Sequence, residues 1–320
     1  MNDKMFGHLV SIHGRCKTFR NVLTIVIKTF LFSVFFLQLF SSQINAGIIP
    51  NSWLNSLVLI EFQKEKNFRP LGTGFLVGSK GYKILVTNAH VLHNAGGLPV
   101  FIRVNKRDPK PEEDMFERIK IFPMADPKLK PIYHTRADLA VLYVSVPNTL
   151  DLKSVKVGEI HDIHFLKQED VPIGDEVLLI GFPTHIEHIG EIEKEFNIPI
   201  IRGGIVSAKY RIKGNDFFLI DAPTYWGSSG GPVILRPSPY NIKKDPSGDI
   251  PPKSQSEPRL IGIVSGMVPV FREWDVTKKQ SEKQSSQERL RIISGWHSGL
   301  SIVVPVDYLI ELLDALPKIE

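Results

Sequence analysis

At 320 residues, with 42% apolar and 23% charged side chains, the chain lies in the normal globular range and can bury one sizeable core or two medium ones. Four of the five net positive charges sit at the N-terminus: the first 46 residues hold five of the 39 basic and one of the 34 acidic side chains, leaving 34 against 33 beyond them. That near-neutral remainder excludes an electrostatic case for nucleic-acid binding, and with the single cysteine, Cys16, in the leader, disulfides and thiol chemistry are excluded downstream.

In chain order, Lys4, Arg15, Lys17, Arg20 and Lys28 precede an apolar run over 29–40, and small and polar residues follow over 41–46. This is the order of a secretory signal, cut after Ala46, so the protein is expected to be exported, to the periplasm or beyond. The alternative is an uncleaved anchor, counted from Val22 through Lys28 to reach about 19 residues; only in that case is a membrane a partner. From 47 to 320 one domain is expected. Candidate strands cover 54–60, 72–77, 84–87, 100–104, 139–144, 176–181, 202–207, 217–222, 232–235, 260–264 and 301–305. Short strands in such number favour barrels or a sandwich over alternating βα units. Residues 236–258 and 272–294 read as polar extended loops. After Pro305, the spacing of Val306, Leu309, Ile310, Leu312, Leu313 and Leu316 predicts a helix over 306–317.

The chemistry gathers around Ser229, in the run Trp226-Gly-Ser-Ser229-Gly-Gly-Pro232. A nucleophilic serine must protrude from a tight turn while backbone N–H groups face the reacting carbonyl. Gly227 has no side chain to obstruct them, so the N–H groups of Gly227 and Ser229 are candidates for an oxyanion hole. A serine hydroxyl also needs a base held in one tautomer by a carboxylate. His90, ending an apolar strand over 84–90, and Asp138, opening another over 138–142, are the candidates for those roles.

With those residues in view, Thr87-Asn-Ala-His90-Val, Asp138-Leu-Ala-Val-Leu and Gly227-Ser-Ser229-Gly-Gly-Pro resemble the three motifs of trypsin-like peptidases, especially the exported HtrA-type branch. Gly72-Thr-Gly-Phe, the segment 174–183, Gly204-Ile-Val-Ser207, Asp221-Ala222 and Val304-Pro305 resemble further landmarks in the same order, so the resemblance covers roughly 54–316. It implies an all-β, chymotrypsin-like fold of two six-stranded antiparallel β-barrels, about 50–165 and 170–305, with a C-terminal α-helix. It also implies a serine endopeptidase that forms an acyl-enzyme on polypeptide substrates, with His90, Asp138 and Ser229 as the triad and no metal or organic cofactor. Ala222, Pro223, Thr224, Val264, Ser265 and Gly266 are the expected substrate-binding residues. No acidic residue stands in these stretches, so a small or medium apolar residue is expected before the cut. Ser228 replaces the acid that disulfide-bonded relatives carry before the nucleophile, and a PDZ module is not expected.

Three other readings compete. The Gly-x-Ser-x-Gly pattern also fits an esterase elbow, but that fold orders serine, acid and then histidine, and the only histidine after Ser229 is His297. A catalytically silent peptide-binding protein on the same scaffold stays open, and so does the oligomeric state. His161 with His164 and His185 with His188 have metal-ligand spacing but no third ligand in register, and read as loop histidines.

Overall fold

The computed structural model describes residues 49–317 apart from 80, 111–112, 123–129, 157–170, 185–196, 213, 237–258 and 278–288. The leader and the four paired histidines lie outside the described residues. Among the described residues no helix is long and apolar enough to cross a membrane, and no histidine, cysteine or carboxylate group clusters as a metal site.

The core strands follow the apolar runs closely, while several run on well past them. Helix α1 (Asn51–Leu54) leads into an antiparallel system built from β1 (Leu57–Lys64), β2 (Asn67–Ser79), β3 (Tyr82–Thr87), β4 (Val100–Asn105), β5 (Phe116–Phe122), β6 (Ile132–Tyr133) and β7 (Ala140–Val144). Their spatial order is β5-β4-β1-β2-β3-β7-β6, and β8 (Val155–Lys156) adds to β2 in parallel. The C-terminal half is a closed six-stranded barrel ordered β10-β11-β14-β13-β12-β9. Its strands are β9 (Glu176–Gly181), β10 (Ile200–Ile212), β11 (Asn215–Asp221), β12 (Pro232–Leu235), β13 (Arg259–Thr277) and β14 (Arg289–Pro305), and α3 (Val306–Ala315) follows. The all-β, chymotrypsin-like architecture and the terminal helix are as expected. Among the described residues the N-terminal sheet has two edges, β5 and β6, where the sequence led us to expect six strands closing on themselves.

Why the core strands read as unbroken apolar runs is plain from their two faces. Successive residues on a strand point opposite ways. Val58, Ile60, Leu76 and Leu85 pack inside the N-terminal sheet, while Leu57, Leu59, Phe75, Val77, Ile84 and Val86 face a second cluster. That second cluster also takes Ile180, Phe182, Ile234 and Ile263 from the barrel, and Val306, Leu309, Leu312 and Leu313 from α3. The barrel has its own interior around Leu179, Val206, Phe218, Val233 and Val303. A strand sandwiched between two apolar layers has no polar face to alternate with.

The loop expected over 272–294 is corrected in part: β13 continues to Thr277 and β14 begins at Arg289, paired residue by residue from Pro269↔His297 to Thr277↔Arg289. Outside the barrel neither face of the ribbon needs a hydrophobic run, so its polar sequence hides the strand.

A charged pair, Glu61 and Arg103, is buried where the N-terminal strands meet. Glu61, 1% exposed, sits at a register shift in β1 and accepts from Arg103 Nη2 and from Arg118 Nε at 2.7 Å. Each guanidinium also stacks on a ring, Arg103 over Phe116 and Arg118 over Phe68, both at 4.2 Å. Truncating one partner of such a cluster strands the others without compensation. Glu61→Ala is therefore expected to cost about 3–5 kcal/mol in chemical denaturation; a loss under about 1 kcal/mol, typical of surface pairs, contradicts it.

Candidate active site

Ser229 sits on the turn between β11 and β12, and that turn is held from the other sheet. Gly227 and Gly230 adopt φ of +90° and +88°, the left-handed region closed to most side chains. A Cβ at Gly227 would stand 2.2 Å from the Phe182 carbonyl oxygen, and one at Gly230 2.0 Å from that of Thr73. Thr73, fully buried on β2, is the brace. Its N–H donates to the Ser229 carbonyl (2.7 Å), its Oγ1 donates to the Gly227 carbonyl (2.7 Å) and accepts from Phe182 N–H (2.9 Å), and its own carbonyl accepts from Thr87 Oγ1 (2.8 Å). From the barrel side, Gly230 N–H donates to the Val264 carbonyl at 2.8 Å. Among the described residues, the N–H groups of Gly227 and Ser229 have no protein acceptor.

His90 lies three residues past β3, in the first turn of α2 (Ala89–His93), where the sequence suggested the end of the strand. Asp138 lies two residues before β7. The two meet closely: His90 Nδ1 donates to Asp138 Oδ2 at 2.6 Å, and His90 N–H to Oδ1 at 3.0 Å. Asn88 Nδ2 donates to the Asp138 carbonyl at 2.8 Å, so backbone and side chain are both fixed. Helix α3 steadies the approach to Asp138. His134 Nε2 donates to Glu311 at 3.0 Å, and its Nδ1 accepts the N–H groups of Arg136 (3.1 Å) and Ala137 (2.9 Å). Burial raises the Glu311 carboxyl, but its bonds from His134 and Arg136 outweigh this and hold it low.

Ser265 has a place that its sequence context did not reveal. Expected along the substrate, it donates from Oγ to Asp138 Oδ2 at 2.6 Å, and its carbonyl accepts from Ser229 Oγ at 3.3 Å. It thus links the serine turn to the carboxylate. Burial pushes the Asp138 carboxyl up, and the bonds from His90 Nδ1, Ser265 Oγ and His90 N–H more than offset this, holding it below the usual aspartate value. No His90–Ser229 hydrogen bond forms among the described residues. Catalytic hydrogen bonds in structures without substrate are often loose in this way.

The remaining expected residues divide by exposure. Val264 is fully buried in the barrel interior and contributes backbone to the serine turn. Ala222 and Thr224 are buried, and Ser301 Oγ donates to the Ala222 carbonyl (2.6 Å) and lies 2.8 Å from Thr224 Oγ1. Pro223 is exposed, and its carbonyl accepts from Arg202 Nη1 at 2.8 Å while the guanidinium covers Tyr225 at 4.2 Å. Gly266 has open space where a Cβ would be. A separate cavity of about 330 Å³, lined by Glu176, Gly203, Asp221 and Arg236 among others, includes neither His90, Asp138 nor Ser229.

Two comparisons bear on this geometry. Residues 72–237 match the family model of the trypsin-like peptidase domain, a stretch that carries His90, Asp138 and Ser229 together with Thr73 and Gly227. The chain is also similar to a probable periplasmic serine endoprotease DegP-like of Halomonas elongata, 29% identical over 170 residues. That match takes in 52% of this chain and 27% of that protein's length.

Proposed function

The chain belongs to the trypsin-like peptidase domain family, and from that premise we propose that it is a serine endopeptidase working through His90, Asp138 and Ser229. The observation that carries the reading is the 2.6 Å bond from His90 Nδ1 to Asp138. It fixes the neutral imidazole with its proton on Nδ1 and leaves Nε2 as a base.

In the proposed reaction, Ser229 Oγ attacks a peptide carbonyl as its proton passes to His90 Nε2. Asp138 stabilises the imidazolium, and the N–H groups of Gly227 and Ser229 hold the oxyanion. Collapse breaks the C–N bond, the amine leaves with the proton from His90, and an acyl-enzyme remains. Water, deprotonated in turn by His90, releases the acid. The polypeptide lies extended beside β13, near Gly266, with the residue before the cut against the 222–225 wall. Open space at Gly266 and the lack of an acidic side chain in 222–225 support a small or medium apolar preference. The basic-then-apolar leader, and the description of the Halomonas protein as periplasmic, support export.

The silent peptide-binding reading draws on one observation, the Ser229 hydroxyl donating to Ser265 and not to His90. An organophosphonate serine probe separates the two. Adduct formation at Ser229 by mass mapping, abolished by Ser229→Ala and by His90→Ala, is expected of the peptidase. The same map of protein recovered after export is expected to begin at Gly47. A folded protein that stays unlabelled makes the silent reading the leading one.

A further inference from the structure

Asp138 stands on the loop over 134–139 that joins β6 to β7, and an imidazole fastens that loop from inside. His134 Nδ1 accepts the N–H groups of Arg136 (3.1 Å) and Ala137 (2.9 Å). The His134 N–H donates to the Leu139 carbonyl at 2.9 Å, and the Leu139 N–H to that of Ala137 at 2.8 Å. A ring nitrogen that accepts carries no proton, so the proton of a neutral His134 sits on Nε2, where Glu311 takes it at 3.0 Å. This is the reverse of His90, which gives its Nδ1 proton to Asp138. The His134 side chain is 5% exposed and its ring lies 4.9 Å from that of Tyr308 on α3. Arg136 Nη2 holds the Glu311 carboxylate in place at 3.0 Å.

We propose that His134 is a positioning residue for the reaction, acting through Asp138, and that Glu311 of the C-terminal helix sets the tautomer in which it acts. The proposal rests on the peptidase reading. Asn88 and Ser265 hold Asp138 itself, and His134 holds the loop that brings it to His90. The tolerance there is small, because the carboxylate must meet His90 Nδ1 at 2.6 Å and His90 N–H at 3.0 Å together. A misplacement of about 1 Å at such a site costs on the order of 100-fold. Were the proton on Nδ1, two backbone N–H groups would face a donor and the loop would lose its fastening. Helix α3, the last element of the described chain, thereby sets the place of a catalytic carboxylate on the N-terminal sheet.

The test compares three variants in kcat, KM, thermal midpoint and the low-field proton resonance of His90 Nδ1. His134→Phe keeps a ring beside Tyr308 and removes both the acceptor and the donor. Its kcat is expected to fall about 30-fold, the worth of two net backbone hydrogen bonds, with KM held and the His90 resonance shifted. His134→Asn is expected to recover most of that kcat, since an Asn Oδ1 accepts backbone N–H groups just ahead of it in the chain. Glu311→Lys, at a half-exposed position, sets a donor against Nε2–H; it is expected to lower kcat about tenfold and to shift the same resonance. If His134→Phe does not fold, Glu311→Lys and the asparagine variant decide. A kcat within about threefold of the unaltered protein in the folded variants, whatever their thermal midpoints, makes His134 a fastener of the fold alone and overturns the proposal. So does an asparagine variant no better than the phenylalanine one. An unaltered protein that neither cleaves peptides nor labels at Ser229 removes the peptidase reading, and the positioning role falls with it.

Discussion

Asp138→Asn is expected to lower kcat about 10⁴-fold while leaving KM and the fold close to those of the unaltered protein, the size of loss that a wrong imidazole tautomer produces. The carboxylate accepts three hydrogen bonds, from His90 Nδ1, His90 N–H and Ser265 Oγ. An amide retains one acceptor oxygen and presents an NH₂ group in place of the other. If that NH₂ faces His90, Nδ1 must accept, the ring proton moves to Nε2, and the base for Ser229 is lost. The pH dependence has a definite sign. A carboxyl held below its unfolded value contributes stability that is present above that value and lost as pH falls through the folded one. For Asp138 the window lies below the ordinary 3.8, so its protonation leaves activity near neutral pH untouched. A pH profile with an acid limb that Asp138→Asn leaves unmoved, or a loss under about tenfold, contradicts the assignment.

Gly227→Ala is expected to reduce kcat about 100- to 1000-fold, the cost of one oxyanion donor. The methyl group would meet the Phe182 carbonyl oxygen at 2.2 Å and Thr184 Cγ2 at 2.7 Å, and φ of +90° resists any side chain. Either strain turns the peptide, and its N–H leaves the position beside that of Ser229. Gly214→Ala is the control. Gly214 has φ of +82° with nothing within 4 Å of the added Cβ, so only the backbone cost of about 1 kcal/mol remains. Steady-state rates beside thermal midpoints read both. Equal kcat in Gly227→Ala and the unaltered protein would remove Gly227 from the oxyanion hole.

Much of this site was legible in the sequence because its parts are local. The runs before His90 and after Asp138 are apolar on both faces, since two cores press on β3 and β7. The glycines around Ser229 sit where the turn admits no Cβ. What the sequence hid depends on partners far along the chain. Thr73 reads as an ordinary strand threonine until the carbonyls of Gly227 and Ser229 are seen upon it. Ser265 sits by position among residues expected to face the substrate, yet its hydroxyl turns to a carboxylate 127 residues away. β6 and β8, of two residues each, are too short to leave a pattern. The ribbon beyond Pro269 alternates no differently from a solvated loop.

The Thr73 brace also sets a clock. Its bond to Gly227 joins positions 154 apart, so the turn that carries Ser229 takes shape only after both halves of the chain exist and have met. His90 and Asp138, 48 apart and both flanking strands of the N-terminal sheet, close a much shorter loop. On the proposed peptidase reading, a chain still emerging during synthesis therefore carries no assembled nucleophile. On that reading, cutting power arrives only once both halves of the chain have folded against each other.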